Sequence, residues 1–295
     1  MAPSVLERNQ SGNGKTVKKR EARRISLRLV IQIFFFILIA LIATNHNLEE
    51  RGMGINFLSS ASLHAVCPFG GVVSIYQYIT AGTYIKKIHE SAFILMYLVF
   101  ALALFVGPAF CGWVCPLGSF QEWLGKLGKK ISKRNFNNLI PYHIDKYLRY
   151  LRYVVLVWVV YVTATSAVLF FADYDPYFAL FNFWTGDVAT SGLIILAIVI
   201  LLSLFIERPF CKYACPYGAV LGVFNLFRIF KIKRNIETCI DCKACDRVCP
   251  MSIKVSNGVV VRDHQCISCL ECTSEFSCPV DATVELTTGK FSGVQ

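Results

Sequence analysis

Cys239-Ile240-Asp241-Cys242-Lys243-Ala244-Cys245-Asp246-Arg247-Val248-Cys249-Pro250 is the stretch on which the reading of this chain turns. Its cysteines spell C-x2-C-x2-C-x3-C-P, and the pattern returns at Cys266, Cys269, Cys272 and Cys278, with Pro279 after a longer final gap. Three cysteines two residues apart let one tight backbone turn present three thiolates to one iron–sulfur cube, while the fourth ligand comes from elsewhere. In two-cluster ferredoxins that fourth ligand is exchanged between the runs. The spacing therefore predicts two [4Fe-4S] clusters, one on Cys239, Cys242, Cys245 and Cys278, the other on Cys266, Cys269, Cys272 and Cys249. Structural zinc is the competing reading, but it usually draws four thiolates from two separated C-x2-4-C knuckles. Disulfides fit less well, because the topology derived next places these cysteines in the cytoplasm, where thiols stay reduced.

The chain of 295 residues is 55% hydrophobic and only 17% charged, which is too apolar for an ordinary soluble protein. Four stretches approach the ~20 apolar residues that cross a hydrocarbon core as helix. They are Leu27 to Thr44, Ser91 to Phe110, Leu151 to Ala172 and Ser191 to Phe210. The first is read as a retained span, since Thr44-Asn45-His46 offers no small-residue cleavage site. Seven basic residues precede Leu27 and seven more lie between Cys111 and Tyr150, whereas Asp173 to Thr190 carries three aspartates and no Lys or Arg. Basic loops stay in the cytoplasm, so both termini and both ferredoxin runs are expected there, in a multi-pass protein of a bacterial or archaeal cytoplasmic membrane. The net charge of +11 is accounted for by these flanks and by anionic membrane lipid, which leaves no call for nucleic acid.

An internal repeat supplies a second constellation. Phe110-Cys111-Gly112-Trp113-Val114-Cys115-Pro116-Leu117-Gly118 reappears as Phe210-Cys211-Lys212-Tyr213-Ala214-Cys215-Pro216-Tyr217-Gly218, one hundred residues later. Each copy closes a predicted span and is followed by an amphipathic stretch, Ser119 to Ile131 and Ala219 to Ile232, read as interfacial helices. If the units pack side by side, Cys111, Cys115, Cys211 and Cys215 converge, and three readings stay open: a third iron–sulfur cluster, a redox-active dithiol, or free structural thiols. Trp113 and Tyr213 read as belt aromatics at the membrane interface.

The expected architecture is an all-α four-helix membrane bundle with twin Cys-x3-Cys-Pro loops, followed by a C-terminal α+β two-cluster ferredoxin-like domain. Its segments are a basic tail (1–26), a four-span membrane domain with the repeat (27–232), the di-cluster domain (233–285) and a short tail (286–295). Four spans, twin C-x3-C-P loops and a terminal pair of ferredoxin runs resemble the NapH-type membrane ferredoxin family and the membrane half of NosR-type accessory proteins. The resemblance covers about residues 27–285. It implies an electron-transfer subunit, quinol dehydrogenase-like, rather than a stand-alone enzyme. Electrons would pass between quinol or a soluble cytoplasmic ferredoxin and an extracytoplasmic flavoprotein or cytochrome. The alternative it leaves is an accessory, assembly or sensing factor for another respiratory metalloenzyme.

Absences narrow the chemistry. None of the five histidines lies in the core of a predicted span, and no C-x-x-C-H, Rossmann or P-loop pattern occurs, which argues against bis-histidine haem, covalent haem, nicotinamide and ATP. A hydrocarbon core of about 30 Å separates the paired cysteines from the far face, so a quinone, a flavin or a partner's cofactor must bridge the gap. Cys67, in Cys67-Pro68-Phe69-Gly70, is an odd thiol on the outward loop, and His64 and His89 are the histidines nearest to a role in proton uptake there. Glu207 and Arg208 read as a pair, or as side chains that snorkel at the end of span four.

Overall fold

The computed structural model describes residues 27–50, 90–132, 136–137, 139–166, 173–186, 188–275, 277–280 and 282–288. Cys67, His64, His89 and the basic tail 1–26 lie outside the described residues. The chain divides into two compact units. The larger takes the described residues of Ile25–Ile229 together with Arg262–Cys269, and the smaller takes the described residues from Phe230 to Val261 and from Leu270 onward.

Ten helices appear among the described residues of the larger unit. In chain order they are α1 (Leu27–Glu50), α2 (Glu90–Phe105), α3 (Ala109–Trp113), α4 (Pro116–Ile131), α5 (Tyr142–Leu148), α6 (Leu151–Ser166), α7 (Pro176–Asn182), α8 (Thr190–Ser203), α9 (Pro209–Tyr213) and α10 (Pro216–Leu226). A helix lies over each of the four predicted spans. Among the described residues, α1 alone is long and apolar enough to cross a membrane, with a mean hydropathy of 2.5 over Leu27–Asn45. α8, described at both ends, has 14 residues, and at 1.5 Å per residue it falls short of the ~30 Å core.

The ends of α2 at Phe105 and of α8 at Ser203 have a local cause. Spans two and four were expected to run into Phe110 and Phe210, but Gly107 (φ 97°) and Arg208 (φ 53°) adopt left-handed backbone. Pro108 and Pro209 follow them, and a proline cannot continue the hydrogen-bond ladder of the helix before it. The chain breaks and restarts as the five-residue helices α3 and α9. Prolines 116 and 216 then open α4 and α10 at the first turn, where a missing N–H costs nothing.

α10 packs against α2 and α6, α8 against α4 and α7, and α1 against α3, α4 and α7. One apolar core joins Val99, Ala103, Val159, Tyr217 and Leu221, and a second joins Ile39, Ala43 and Phe181. α4 packs one face into the unit. It buries Ser119, Gln121, Glu122, Gly125 and Gly128 inside the unit, and a Cβ at Gly128 would collide with the Leu204 carbonyl, so the glycine permits the close approach of α4 to the end of α8.

In the smaller unit, β1 (Lys231–Arg234) pairs antiparallel with β2 (Val284–Thr287), in the register Lys231↔Thr287 to Arg234↔Val284. A single-turn helix, α11 (Ala244–Arg247), and 3-10 turns at Val255–Asn257 and Glu271–Thr273 complete its regular structure among the described residues. Ile232, Ala244, Met251, Val255 and Val284 form its buried apolar interior. With half a dozen large apolar side chains inside, such a unit has little core of its own, and covalent cross-linking by metal would supply much of its stability.

Candidate metal centres

The repeat seen in the sequence is a repeat in three dimensions. Cys115 N–H and Cys215 N–H each donate to the carbonyl of the phenylalanine five residues back, Phe110 and Phe210, both at 2.9 Å. Val114 and Ala214 donate to the same two carbonyls, again at 2.9 Å. Cys115 and Cys215 are the N-cap residues of α4 and α10, with nearly equal backbone angles (φ −62°, ψ 114° and φ −70°, ψ 112°). Gly218 N–H donates to Cys215 Sγ at 3.3 Å. A helix N-terminus with free N–H groups favours a thiolate over a thiol.

The four sulfurs act on one another. Burial raises all four thiols above their ordinary value, Cys211 to about 12, and charge on neighbouring thiols adds to the effect at Cys111, Cys211 and Cys215. The guanidinium groups of Arg208 and Arg152 pull the other way at Cys111 and Cys211. Four partly buried thiols that resist ionisation alone, with the buried Arg208 and Arg152 beside them, fit an iron–sulfur core, in which iron would take the thiolates' negative charge and the arginines would offset the residual charge. Among the described residues, no three His, Cys, Asp or Glu side chains are drawn tightly enough together to hold a single metal ion.

A buried ion cluster supports this loop from behind. Glu122 on α4 is paired with Arg208 at 2.6 Å, Arg28 at 2.5 Å and Lys126 at 3.0 Å. Burial works against its charged form, but Arg208 and Arg28 outweigh that and hold the carboxyl well below the usual range. Arg208 also donates to the Cys111 carbonyl at 2.7 Å, while Arg28 Nε and Gln32 Nε2 both donate to the Gly112 carbonyl at 3.1 Å. Arg208 is fully buried, its close ion partner is Glu122, and its backbone is left-handed. Trp113 and Tyr213 likewise have internal partners. Trp113 Nε1 donates to the Ser268 carbonyl at 3.1 Å, and Tyr213 OH donates to Asp145 at 2.5 Å.

The segment Arg262–Cys269, which carries the first two cysteines of the second run, belongs to the larger unit. Ser268 Oγ donates to the Val106 carbonyl (2.7 Å), Gln265 Nε2 to the Lys212 carbonyl (2.8 Å), Asn225 Nδ2 to the Asp263 carbonyl (2.7 Å) and Arg152 to the His264 carbonyl (2.9 Å). Gly112 is required here, since a Cβ would stand 2.7 Å from the Ile267 carbonyl oxygen. Arg228, almost fully buried, donates to Cys266 Sγ at 3.4 Å and to Ser268 Oγ at 3.2 Å. The other ligands expected for that cluster, Cys249 and Cys272, belong to the smaller unit.

Within the smaller unit, Cys239, Cys242, Cys245 and Cys278 line one cavity. Cys278 is more than thirty positions from the run it joins, as the exchange of ligands between runs requires. Its thiol is raised by burial, with Cys242 and Cys239 adding, and Cys245 is pushed up to about 11, first by burial and then by Asp246. Arg234 Nη1 lies 3.5 Å from Cys239 Sγ. Left-handed backbone at Asp241 and Lys243 (φ 52° and 54°) turns the chain between successive cysteines. Ser268 and Leu270 (φ 47° and 58°) take the same conformation at the equivalent places of the second run.

Arg28, Gln32, Glu122, Arg152 and Arg228 were not singled out in the sequence. Their signal was legible as charge, or at Gln32 a polar amide, inside or next to apolar runs, where such a side chain must find a partner.

A profile of the 4Fe-4S binding domain family matches residues 88–135 and 188–237. The two windows lie one hundred residues apart and enclose Cys111 with Cys115 and Cys211 with Cys215. The chain is 33% identical over 224 residues to YccM of Escherichia coli, named as an electron transport protein, which is 74% of this chain and 61% of that one. It is 34% identical over 185 residues to an uncharacterized protein of Methanocaldococcus jannaschii, covering 63% of this chain and 74% of that one. It is 28% identical over 184 residues to the ferredoxin-type protein NapH of Haemophilus influenzae, covering 59% and 61%. No solved structure matches.

Proposed function

We propose that this chain, which belongs to the ferredoxin-type 4Fe-4S binding family, is a membrane-bound carrier that relays electrons through iron–sulfur clusters held by its own cysteines. The observation that carries the reading is the single cavity lined by Cys239, Cys242, Cys245 and Cys278, which unites the first run with the last cysteine of the second. A second cluster on Cys266, Cys269, Cys272 and Cys249 follows from the same spacing. A third, on Cys111, Cys115, Cys211 and Cys215, draws support from the mutual charge effects of those thiols and from the two windows of the family match.

The clusters, when bound, supply one-electron exchange. The protein supplies their ligands and directs the N–H groups of Arg228 and Arg234 at sulfur. In the full reading four spans cross the cytoplasmic membrane with both termini inside. Quinol or a soluble ferredoxin exchanges electrons with the clusters, and an extracytoplasmic flavoprotein or cytochrome closes the circuit. The chain spans about three fifths of YccM and of NapH, so donor and acceptor are part of the proposal. Stopped-flow mixing of the anaerobic protein with a quinol tests it. Rapid, repeatable bleaching of cluster absorbance is expected; slow reduction limited to a single turnover would instead favour an accessory or assembly role.

A further inference from the structure

α5 has two unlike faces. Asp145 and Arg149 are buried on one side of it. Asp145 accepts from Arg149 Nε at 2.9 Å and pairs with Lys212 of α9 at 2.8 Å. Arg149 reaches Asp263 at 3.7 Å, and just beyond the helix the centre of the Tyr150 ring stands 5.1 Å from that of His264. This side ties α5 to α9 and to the segment Arg262–Cys269, all within the larger unit.

The other side is open. Leu139, Tyr142, Ile144, Tyr147 and Tyr150 are exposed on and beside the helix, with Lys146 among them. The exposed row does not end with α5. It continues along α6 through Leu151, Val154, Val157 with Trp158, and Tyr161, at the three- and four-residue steps of one helix face. Arg149 and Arg152, the charged residues where the two helices meet, are both buried and leave this row uncharged.

We propose that α5 lies in the phospholipid headgroup layer with its tyrosines outward, and that this anchorage steadies the segment Arg262–Cys269 held by its buried side. The inference rests on the membrane-bound reading above and gives a place to an element that reading leaves without one. A tyrosine joins an apolar ring to a polar hydroxyl, which suits the boundary between acyl chains and water. Lys146 matches the phosphates of the same layer. Residues 153–166 carry no charged side chain, so the row passes from a mixed surface on α5 to a purely uncharged one on α6, as a passage from headgroups into hydrocarbon requires. A docked protein would have to follow the row into the hydrocarbon, whereas one phospholipid layer covers both parts.

The test puts photoreactive p-benzoylphenylalanine in place of Tyr147, 75% exposed, and separately in place of Val157, 68% exposed, in the full chain. Each protein is irradiated in the membrane that expresses it and again in nanodiscs of phosphatidylethanolamine and phosphatidylglycerol, and the adducts are read by mass spectrometry. Phospholipid adducts are expected at both positions, on the glycerol or the first acyl carbons at Tyr147 and deeper along the acyl chain at Val157. Tyr147→Asp, which changes no buried contact of α5, should raise hydrogen exchange across residues 262–269 in nanodiscs and leave it unchanged in lipid-free amphipol. A crosslink from Tyr147 to another protein or to a second copy, adducts there confined to deep acyl carbons, or lipid adducts at Val157 alone would overturn the proposal while the membrane-bound reading stands. So would exchange in nanodiscs that is indifferent to Tyr147→Asp. Phospholipid adducts at neither position would refute the membrane-bound reading itself.

Discussion

Arg228 places a charged N–H donor on Cys266 Sγ from a buried position, and Arg234 does the same for Cys239. Hydrogen bonds to cluster sulfurs stabilise the more negative, reduced state and raise the potential. Arg228→Ala should therefore make one cluster harder to reduce, by on the order of tens of millivolts, in a redox titration followed by electron paramagnetic resonance. The cluster of the other run should stay where it was. Glu122 acts at the same scale through charge. Replacing it with glutamine leaves Arg208 and Arg28 buried with no anion, and breaking such a pair from one side costs about 3–5 kcal/mol. Its folded pKa lies below the ordinary value of 4.5, so its contribution is complete above that pH and is lost as pH falls toward the folded value. Thermal unfolding in detergent should show a gap between wild type and Glu122→Gln that is flat above about pH 4.5 and narrows below it.

Among the elements, the fit of segment Arg262–Cys269 to the larger unit depends on Gly112. Gly112→Val would drive a side chain into the Ile267 carbonyl and the Cys269 backbone, whereas at Gly258 an added Cβ meets nothing closer than 3.6 Å. Hydrogen exchange should therefore rise across residues 262–269 in Gly112→Val and stay unchanged there in Gly258→Ala. The elements also show how far sequence reasoning reached. The C-x3-C-P repeat was legible because identical residues at a fixed offset fold alike, and the structure repeats its hydrogen bonds at equal lengths. The helix ends were misread because hydropathy alone carried spans two and four through Gly107-Pro108 and Arg208-Pro209, where backbone sterics stop a helix whatever the side chains prefer.

Seen as a whole, the molecule has its twelve described cysteines in three sets. One set lines the cavity of the smaller unit, one sits on the twin loops of the larger unit, and the third is divided between the two. The first and third sets could be read from spacing, because a turn that offers three thiolates has few other uses. The environment of the twin loops could not, since Arg28, Arg152, Glu122 and Arg208 come from four separate elements that only packing brings together. The account therefore turns on whether the repeat holds metal. The most direct measurement is iron and acid-labile sulfide per chain in anaerobically purified protein, for wild type and for the variant with Cys111, Cys115, Cys211 and Cys215 replaced by serine. Three clusters predict about twelve irons in the wild type, falling to about eight in the variant. About eight irons in both proteins would contradict the account and confine the redox centres to the two ferredoxin runs.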